Sequence, residues 1–266
     1  MASIQVRERF TPCRGILFDK DGTLLDFIGL WGGWAEILTG LLRRKLEQLG
    51  VRDSESSRDL LGLHRDSSNR IIGYDKAGPL AMGTEAEVTA LLASQLYGAG
   101  IPWNDALSMI REFNMTAMEE LRMLRNVRPL PGLNKFLSAC RSEGIVLGVV
   151  TSDKTSDALE HLDWLGIRGY FQSIVGEDRV EKGKPEPDML LLACRELGIT
   201  PMEAVIIGDS NADMQMGKKA GVSLAVGISV DGENPTQATS ILCDADVIVT
   251  DYKEIKVVDT IGGKNI

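Results

Sequence analysis

The chain has 266 residues, 44% of them hydrophobic and 25% charged, which is an ordinary globular composition with room for one large domain or two smaller ones. A formal net charge of −9 argues against nucleic acid or an anionic membrane as the main partner. The four cysteines lie far apart in the sequence, so we expect reduced thiols rather than a disulfide framework or a thiolate metal cluster. We also expect a cytoplasmic protein, because the N-terminal residues lack an apolar signal core and no run is apolar enough for a membrane span.

Short apolar runs recur along the chain, and each is closed by a polar residue or a glycine. The runs are rich in valine and isoleucine and do not alternate with polar residues, which is typical of strands buried on both faces of a parallel sheet. The runs predicted as strands are Gly15–Phe18, Ile145–Val150, Ser173–Val175, Ala204–Ile207, Ser223–Ile228 and Val247–Val249.

Segments with helical periodicity lie between these runs, and each ends at or next to a glycine, a common helix stop. The segments predicted as helices are Leu133–Glu143, Asp157–Leu165, Asp188–Leu197 and Asn211–Ala220. Strand–helix alternation of this kind predicts an α/β fold with a doubly wound, mainly parallel sheet and right-handed crossovers.

A long segment interrupts this alternation straight after the first strand. Its pattern is mainly helical, and the predicted helices are Trp34–Leu49, Glu85–Tyr97 and Asn104–Leu124. A proline-rich stretch beginning at Arg128 then leads back into the alternating pattern. We therefore predict an α/β core domain of residues 1–26 and 129–266, with an α-helical domain of residues 27–128 inserted into it.

Polar residues follow three of the predicted strands at the point where each strand ends. Asp19 and Asp21 follow the first strand, Thr151 and Ser152 follow the second, and Asp209 follows the fourth, one glycine later. Ligands of open parallel sheets bind outside the carboxyl ends of the strands. These side chains are therefore expected to lie close together at one edge of the sheet.

The chemistry of these groups points to a hard cation and a phosphate ester. Three carboxylates without His or Cys form an all-oxygen set, which suits Mg²⁺ better than zinc. Thr151 and Ser152 offer hydroxyl and N–H groups to a phosphate, and Lys184 offers a positive charge from a loop stiffened by two prolines. Together these groups would stabilise the charge that develops on a transferring phosphoryl group.

In order and spacing, the residues resemble the four sequence motifs of the haloacid dehalogenase superfamily of phosphohydrolases. The motifs are Asp19-Lys20-Asp21-Gly22-Thr23, then Thr151, then Lys184, and last Gly208-Asp209 with Asp213. The stretch Gly183–Asp188, with the fourth motif downstream, is similar to phosphoglycolate phosphatases and their relatives. The resemblance implies a Rossmann-like core with a helical cap of the first type, inserted between the first and second motifs.

The resemblance also implies a role for each matching residue. Asp19 would be the nucleophile that forms an aspartyl-phosphate, and Asp21 would protonate the leaving group and then deprotonate the attacking water. Thr151, Ser152 and Lys184 would hold the phosphoryl oxygens. Mg²⁺ would be held by Asp19, the backbone carbonyl of Asp21, and Asp209, with Asp213 in or just behind the metal shell.

The identity of residue 21 narrows the reaction that the resemblance implies. Dehalogenases and phosphonate hydrolases of the superfamily lack an acid/base aspartate there, and P-type ATPases carry threonine, so Asp21 implies a phosphatase or a phosphomutase. We expect a Mg²⁺-dependent phosphatase acting on a small-molecule phosphate monoester, phosphoglycolate-like or a sugar phosphate. The chain departs from the phosphoglycolate type at Phe27, which weakens any assignment of phosphoglycolate itself.

Two alternative functions stay open at this point. The first is a sugar phosphomutase, which shares the four motifs, and the second is a catalytically inactive regulatory or binding protein on the same fold. For the leading hypothesis we expect a small phosphate ester as partner, no nucleic acid and no membrane, and a monomer or homodimer.

Overall fold

The computed structural model describes residues 2–51, 59–230 and 235–259. The chain forms two compact units, one of Met1–Asp26 with Val127–Ile266 and the other of Phe27–Asn126. The first unit is discontinuous in sequence, because the whole of the second is inserted between Asp26 and Val127.

In chain order, the strands are β1 (Ala2–Val6), β2 (Arg9–Pro12), β3 (Gly15–Phe18), β4 (Leu63–Arg65), β5 (Ile71–Tyr74), β6 (Val146–Val150), β7 (Ser173–Val175), β8 (Ala204–Gly208), β9 (Leu224–Ile228), β10 (Val247–Val249) and β11 (Ile255–Asp259). The α-helices are α1 (Gly33–Gln48), α2 (Pro79–Met82), α3 (Glu85–Gly98), α4 (Trp103–Leu124), α5 (Leu133–Ser142), α6 (Thr155–Trp164), α7 (Asp188–Leu197), α8 (Asn211–Ala220) and α9 (Pro235–Ile241). No helix in the described ranges is long and apolar enough to cross a membrane.

A parallel sheet forms the centre of the first unit, with its strands in the order β10-β9-β8-β3-β6-β7. β3 lies between β8 and β6, and Phe18 is in register with Ile207 on one side and Val149 on the other. Every strand predicted from the apolar runs is present, with its ends within one residue of the prediction. The predicted α/β fold class is thus confirmed.

Helices cover both faces of this sheet because successive strand side chains point to opposite sides. Ile16 and Phe18 share one apolar core with residues of α5 and α6. Leu17 and Ile206 share the other core with residues of α7 and α8. The runs lack alternation in the sequence because both sets of side chains are buried, and burial of this kind is the main force that holds the layers together.

A three-stranded antiparallel sheet, in the order β11-β1-β2, was not predicted from the sequence. Ile4 and Val6 of β1 are fully buried in the same core as Phe18, although the segment around them is polar. The pairing joins β1 to β11 at the far end of the described chain, so no local pattern indicated it.

The second unit is mainly helical, with α4 packed against both α1 and α3. A short π-helical segment, Ile28–Gly32, leads into α1. α3 begins at a capping box, in which Thr84 and Glu87 satisfy each other's backbone N–H groups. The antiparallel pair β4–β5 was not predicted, because the sequence indicated only a break between helices from Gly73 to Gly83, which overlaps the end of β5.

Candidate active site

Asp19 begins the turn that follows the central strand β3. Its N–H donates to the carbonyl of Ile207 on β8 over 2.9 Å, which extends the sheet pairing by one residue. The chain then turns sharply, with the N–H of Leu24 donating to the carbonyl of Lys20 over 2.8 Å. Asp19 is therefore fixed at the carboxyl end of β3, one of the two central strands of the sheet.

Gly22 brings the backbone of this turn against Asp209. Its φ is +72°, a left-handed conformation that glycine adopts without a steric penalty. A Cβ atom at this position would lie 2.2 Å from Oδ2 of Asp209, so no larger residue fits without displacing the carboxylate. The first and fourth motifs are thus in direct contact, as their places after β3 and β8 predict.

Lys184 links Asp19 to Asp213. Its buried ammonium pairs with Oδ1 of Asp19, and it lies 2.7 Å from Oδ1 of Asp213. Asp213 is also held by the start of α8, where its Oδ2 accepts from the N–H of Ser210 over 3.1 Å and from its hydroxyl over 2.6 Å. Lys184 thus contacts one oxygen of the Asp213 carboxylate and Ser210 contacts the other.

Burial is the largest influence on the ionisation of Asp19. Because it penalises the charged form, burial raises the pKa of Asp19 to about 7, against the opposing effect of Lys184 and with a further rise from the charges of Asp213 and Asp21. Burial acts to lower the pKa of Lys184, but the carboxylates of Asp19 and Asp213 outweigh it and raise that pKa above its ordinary range. The site thus holds an excess of negative charge that a cation would offset.

The carboxylates of Asp19, Asp209 and Asp213 could together hold a metal ion. One oxygen from each lies within 4.8 Å of the others. A compact all-oxygen set fits a hard divalent cation such as Mg²⁺, which is the ion expected from the sequence. The side chain of Asp21 is not part of this group of three carboxylates and pairs with Lys20.

Thr151 and Ser152 follow β6, which pairs with β3. Thr151 is buried, and its hydroxyl accepts from the N–H of Asp153 over 3.2 Å, while Ser152 is exposed. Helix α6 begins only at Thr155, so Thr151 is not its N-cap. Both residues lie at the carboxyl end of a strand next to Asp19, which is where a phosphate-binding group is expected.

The sequence analysis missed a buried group beside Asp21. Lys20, between the two motif aspartates, is fully buried and forms ion pairs with Asp21 over 2.5 Å and Asp153 over 3.0 Å. Its ammonium also lies 3.1 Å from Nδ1 of the buried His161 on α6. One signal was present in the sequence, because a lysine at the end of a buried strand requires carboxylate partners.

The chain belongs to the haloacid dehalogenase-like hydrolase family, whose model matches residues 16–226. It is 29% identical over 252 residues to the phosphoglycolate phosphatase of Shigella boydii serotype 4 (strain Sb227), an alignment that covers 93% of this chain and 92% of that protein. It is 28% identical over 249 residues to the N-acetylmuramic acid 6-phosphate phosphatase of Pseudomonas aeruginosa, an alignment that covers 91% of this chain and 92% of that protein.

A solved structure of similar fold is the haloacid dehalogenase family hydrolase of Deinococcus radiodurans R1 with bound phosphate and sodium. It has a TM-score of 0.62 and 23% sequence identity, covering 92% of this chain and 93% of that one. The family inferred from the four motifs is confirmed, and so is the enzyme class, a phosphoric monoester hydrolase.

Proposed function

We propose that the protein is a Mg²⁺-dependent phosphatase that hydrolyses a small-molecule phosphate monoester through an aspartyl-phosphate intermediate. The observation that carries the proposal is the position of Asp19. It lies at the end of the central strand, paired with Lys184 and within reach of the Asp209 and Asp213 carboxylates. A nucleophile, a cation and a metal-binding set are the parts that phosphoryl transfer needs in one place.

Asp19 is suited to attack phosphorus because its backbone and its carboxylate are both held by neighbouring groups. The β3–β8 hydrogen bond fixes its backbone, and Lys184 fixes one carboxylate oxygen. Attack forms a bond from a carboxylate oxygen to phosphorus and releases the leaving-group oxygen. Water then attacks the phosphorus of the aspartyl-phosphate, which regenerates Asp19 and yields inorganic phosphate.

Asp21 is suited to move protons in both steps. Its side chain is 17% exposed, so it reaches the surface of the turn, and it is held by an ion pair with Lys20. It would protonate the departing oxygen of the ester and then accept a proton from the attacking water. Positioned acid–base groups of this kind accelerate reactions by about 10²- to 10⁴-fold.

Mg²⁺ would be held by the side chains of Asp19 and Asp209 and by the backbone carbonyl of Asp21. Asp213 would lie in or just behind this set of ligands, and its contacts with Lys184 and Ser210 favour the position behind. When bound, the ion would neutralise negative charge on the carboxylates and on the phosphate. Thr151, Ser152 and Lys184 would then hold the phosphoryl oxygens.

The relatives support phosphoglycolate or a phosphorylated sugar as the substrate. One is named a phosphoglycolate phosphatase and another an N-acetylmuramic acid 6-phosphate phosphatase, and both align with nearly the whole chain. We propose that the inserted helical domain acts as the cap that selects among such substrates. Substitutions there should change the ranking of substrates without abolishing phosphate release.

The proposal predicts that Asp19→Asn loses more than about 1,000-fold in phosphate release, because the nucleophile is removed. Release of phosphate is measured with Mg²⁺ over a panel of phosphoglycolate, sugar phosphates and nucleotides, with circular dichroism as the check on folding. Asp163→Asn, at an exposed aspartate paired with Arg168, is the matched control and should retain activity.

The same panel decides between the alternatives. Isomerisation of a hexose phosphate with little phosphate release would favour a phosphomutase. Full activity in Asp19→Asn would contradict the proposed mechanism, and inactivity of the wild-type protein on the whole panel would favour the regulatory alternative.

A further inference from the structure

A buried network of charges surrounds Lys20 at the start of the catalytic turn. Its side chain is fully buried, although lysine is among the residues least often buried. The ammonium lies 2.5 Å from Oδ1 of Asp21, 3.0 Å from Oδ2 of Asp153 and 3.1 Å from Nδ1 of His161. Burying a charge is costly unless it is well paired, so keeping this lysine in place requires the whole set of partners.

The partners of Lys20 come from two other parts of the first unit. Asp153 lies in the connection between β6 and α6, where its carbonyl accepts from the N–H of Glu177 over 3.0 Å. His161 lies on α6, is 1% exposed, and its Nδ1 is 3.7 Å from Oδ2 of Asp153. The start of α6 is itself fixed by Asp178, whose Oδ1 accepts from the N–H of Thr155 over 2.7 Å.

The two buried lysines divide the carboxylates of the site between them. Lys184 pairs with Asp19 and Asp213, whereas Lys20 pairs with Asp21 and Asp153. Lys20 therefore orients the side chain of the proposed acid–base residue, and Lys184 that of the proposed nucleophile.

We propose that Lys20 is a positioning residue, which holds the carboxyl group of Asp21 where it can reach the leaving-group oxygen, and that His161 and Asp153 hold Lys20 in turn. The proposal rests on the proposed function, in which Asp21 is the acid–base residue. Lys20 is fully buried, and in this role it acts on the reaction through Asp21. Small displacements of a catalytic group are costly, because a shift of about 1 Å can lower the rate about 100-fold.

The dependence of the rate on the leaving group distinguishes this role from a structural one. A poor leaving group, such as an alkyl alcohol, needs a proton from Asp21 as the ester bond breaks, whereas 2,4-dinitrophenolate leaves without one. kcat/KM reports the steps up to release of the leaving group. Misplacement of Asp21 should therefore lower kcat/KM selectively for esters of poor leaving groups.

The experiment is a double-mutant cycle of Lys20→Met and Asp21→Asn, in which kcat/KM is measured for a series of alkyl and aryl phosphates. Lys20→Met should lower kcat/KM about 100-fold for alkyl esters and less than about threefold for 2,4-dinitrophenyl phosphate. In the Asp21→Asn background, Lys20→Met should change kcat/KM less than about threefold, because the carboxylate through which it is proposed to act is gone. The control Lys253→Met removes an exposed lysine that pairs with Asp251, and it should match the wild type.

Other outcomes overturn the proposal. A uniform loss across the ester series, or additive effects in the cycle, would show that Lys20 only supports the fold. If Lys20→Met does not fold, the double variant Lys20→Met with Asp153→Asn also removes the carboxylate that would lose its cation, and it should show the same selective loss. If Asp21→Asn lowers kcat/KM selectively for esters of poor leaving groups and the Lys20 variants do not, the positioning role is refuted and the proposed function stands. If the wild-type protein shows no turnover, the proposed function is refuted as well.

Discussion

Asp19 and Asp21 lie two residues apart, yet each pairs with a different lysine. The two carboxylates can therefore have separate roles, the first as nucleophile and the second in proton transfer. Gly22 makes this arrangement possible by allowing the turn to approach Asp209 without a side chain in between. A single turn thus places the proposed nucleophile, the proposed acid–base residue and the close contact with the metal-binding set.

Gly22→Ala is expected to lower kcat/KM by about 100-fold, because its Cβ would displace the Asp209 carboxylate. The left-handed backbone adds a stability cost of about 1 kcal/mol. Gly144→Ala is the matched control, since Gly144 has nearly the same φ of +71° and a Cβ there would meet no atom within 4 Å. In denaturant titrations both variants should lose a similar free energy of unfolding because of the left-handed backbone. Equal activity in the two variants would contradict the role given to Gly22.

At the scale of elements, the start of α8 places Asp213 beside Lys184. Ser210 and Asp213 form a capping box, in which each side chain satisfies a backbone N–H of the other. The same motif begins α3 in the second unit, where it involves Thr84 and Glu87. The capping box of the second unit only begins a helix, whereas that of the first unit also orients a carboxylate of the site.

Ser210→Ala removes the hydroxyl that accepts from the N–H of Asp213 at the start of α8, and it should lower the free energy of unfolding by about 1 kcal/mol. The same hydroxyl donates to Oδ2 of Asp213, so its loss should also reduce phosphatase activity several-fold. Thr84→Ala breaks the matching cap of α3 and should cost similar stability with activity retained. Thermal melts and phosphate release, measured side by side, test the pair. Equal activity losses would show that the α8 cap has no special link to the site.

The elements of the central sheet could be predicted because their signals are local. A run such as Ala204–Ile207 is apolar throughout, and the residue types alone indicate burial on both faces. The β1–β11 pairing could not be predicted, since its partners lie at opposite ends of the described chain. The same reason hid the Lys20 network, whose members Asp153 and His161 have no fixed spacing from the first motif.

For the whole molecule, the burial of Asp19 couples stability to pH. The pKa of Asp19 is about 7 in the folded protein, above its ordinary value of 3.8. The folded protein holds the carboxyl proton of Asp19 more tightly than the unfolded chain does. The contribution of this proton to the free energy of unfolding is therefore fully present below pH 3.8. It is lost as the pH rises through 7.

Mg²⁺ should therefore raise Tm most where Asp19 is ionised. We expect a rise of about 5 °C at about pH 8 in saturating Mg²⁺ over EDTA, and less than about half of that at about pH 5.5. Asp209→Asn should remove most of the rise, because it removes a proposed ligand. A Tm rise that is independent of pH, or unchanged in Asp209→Asn, would contradict the proposed metal site.

The central claim is that the phosphoryl group passes through Asp19. Turnover is stopped with acid during steady state, and borohydride then reduces any aspartyl-phosphate to homoserine. Trypsin cleaves after Arg14 and Lys20, so the peptide Gly15–Lys20 contains Asp19 as its only side-chain carboxylate. Mass spectrometry should find homoserine at position 19 in this peptide, only when Mg²⁺ and substrate are both present. Modification of a different peptide, or of none while phosphate is being released, would contradict the account.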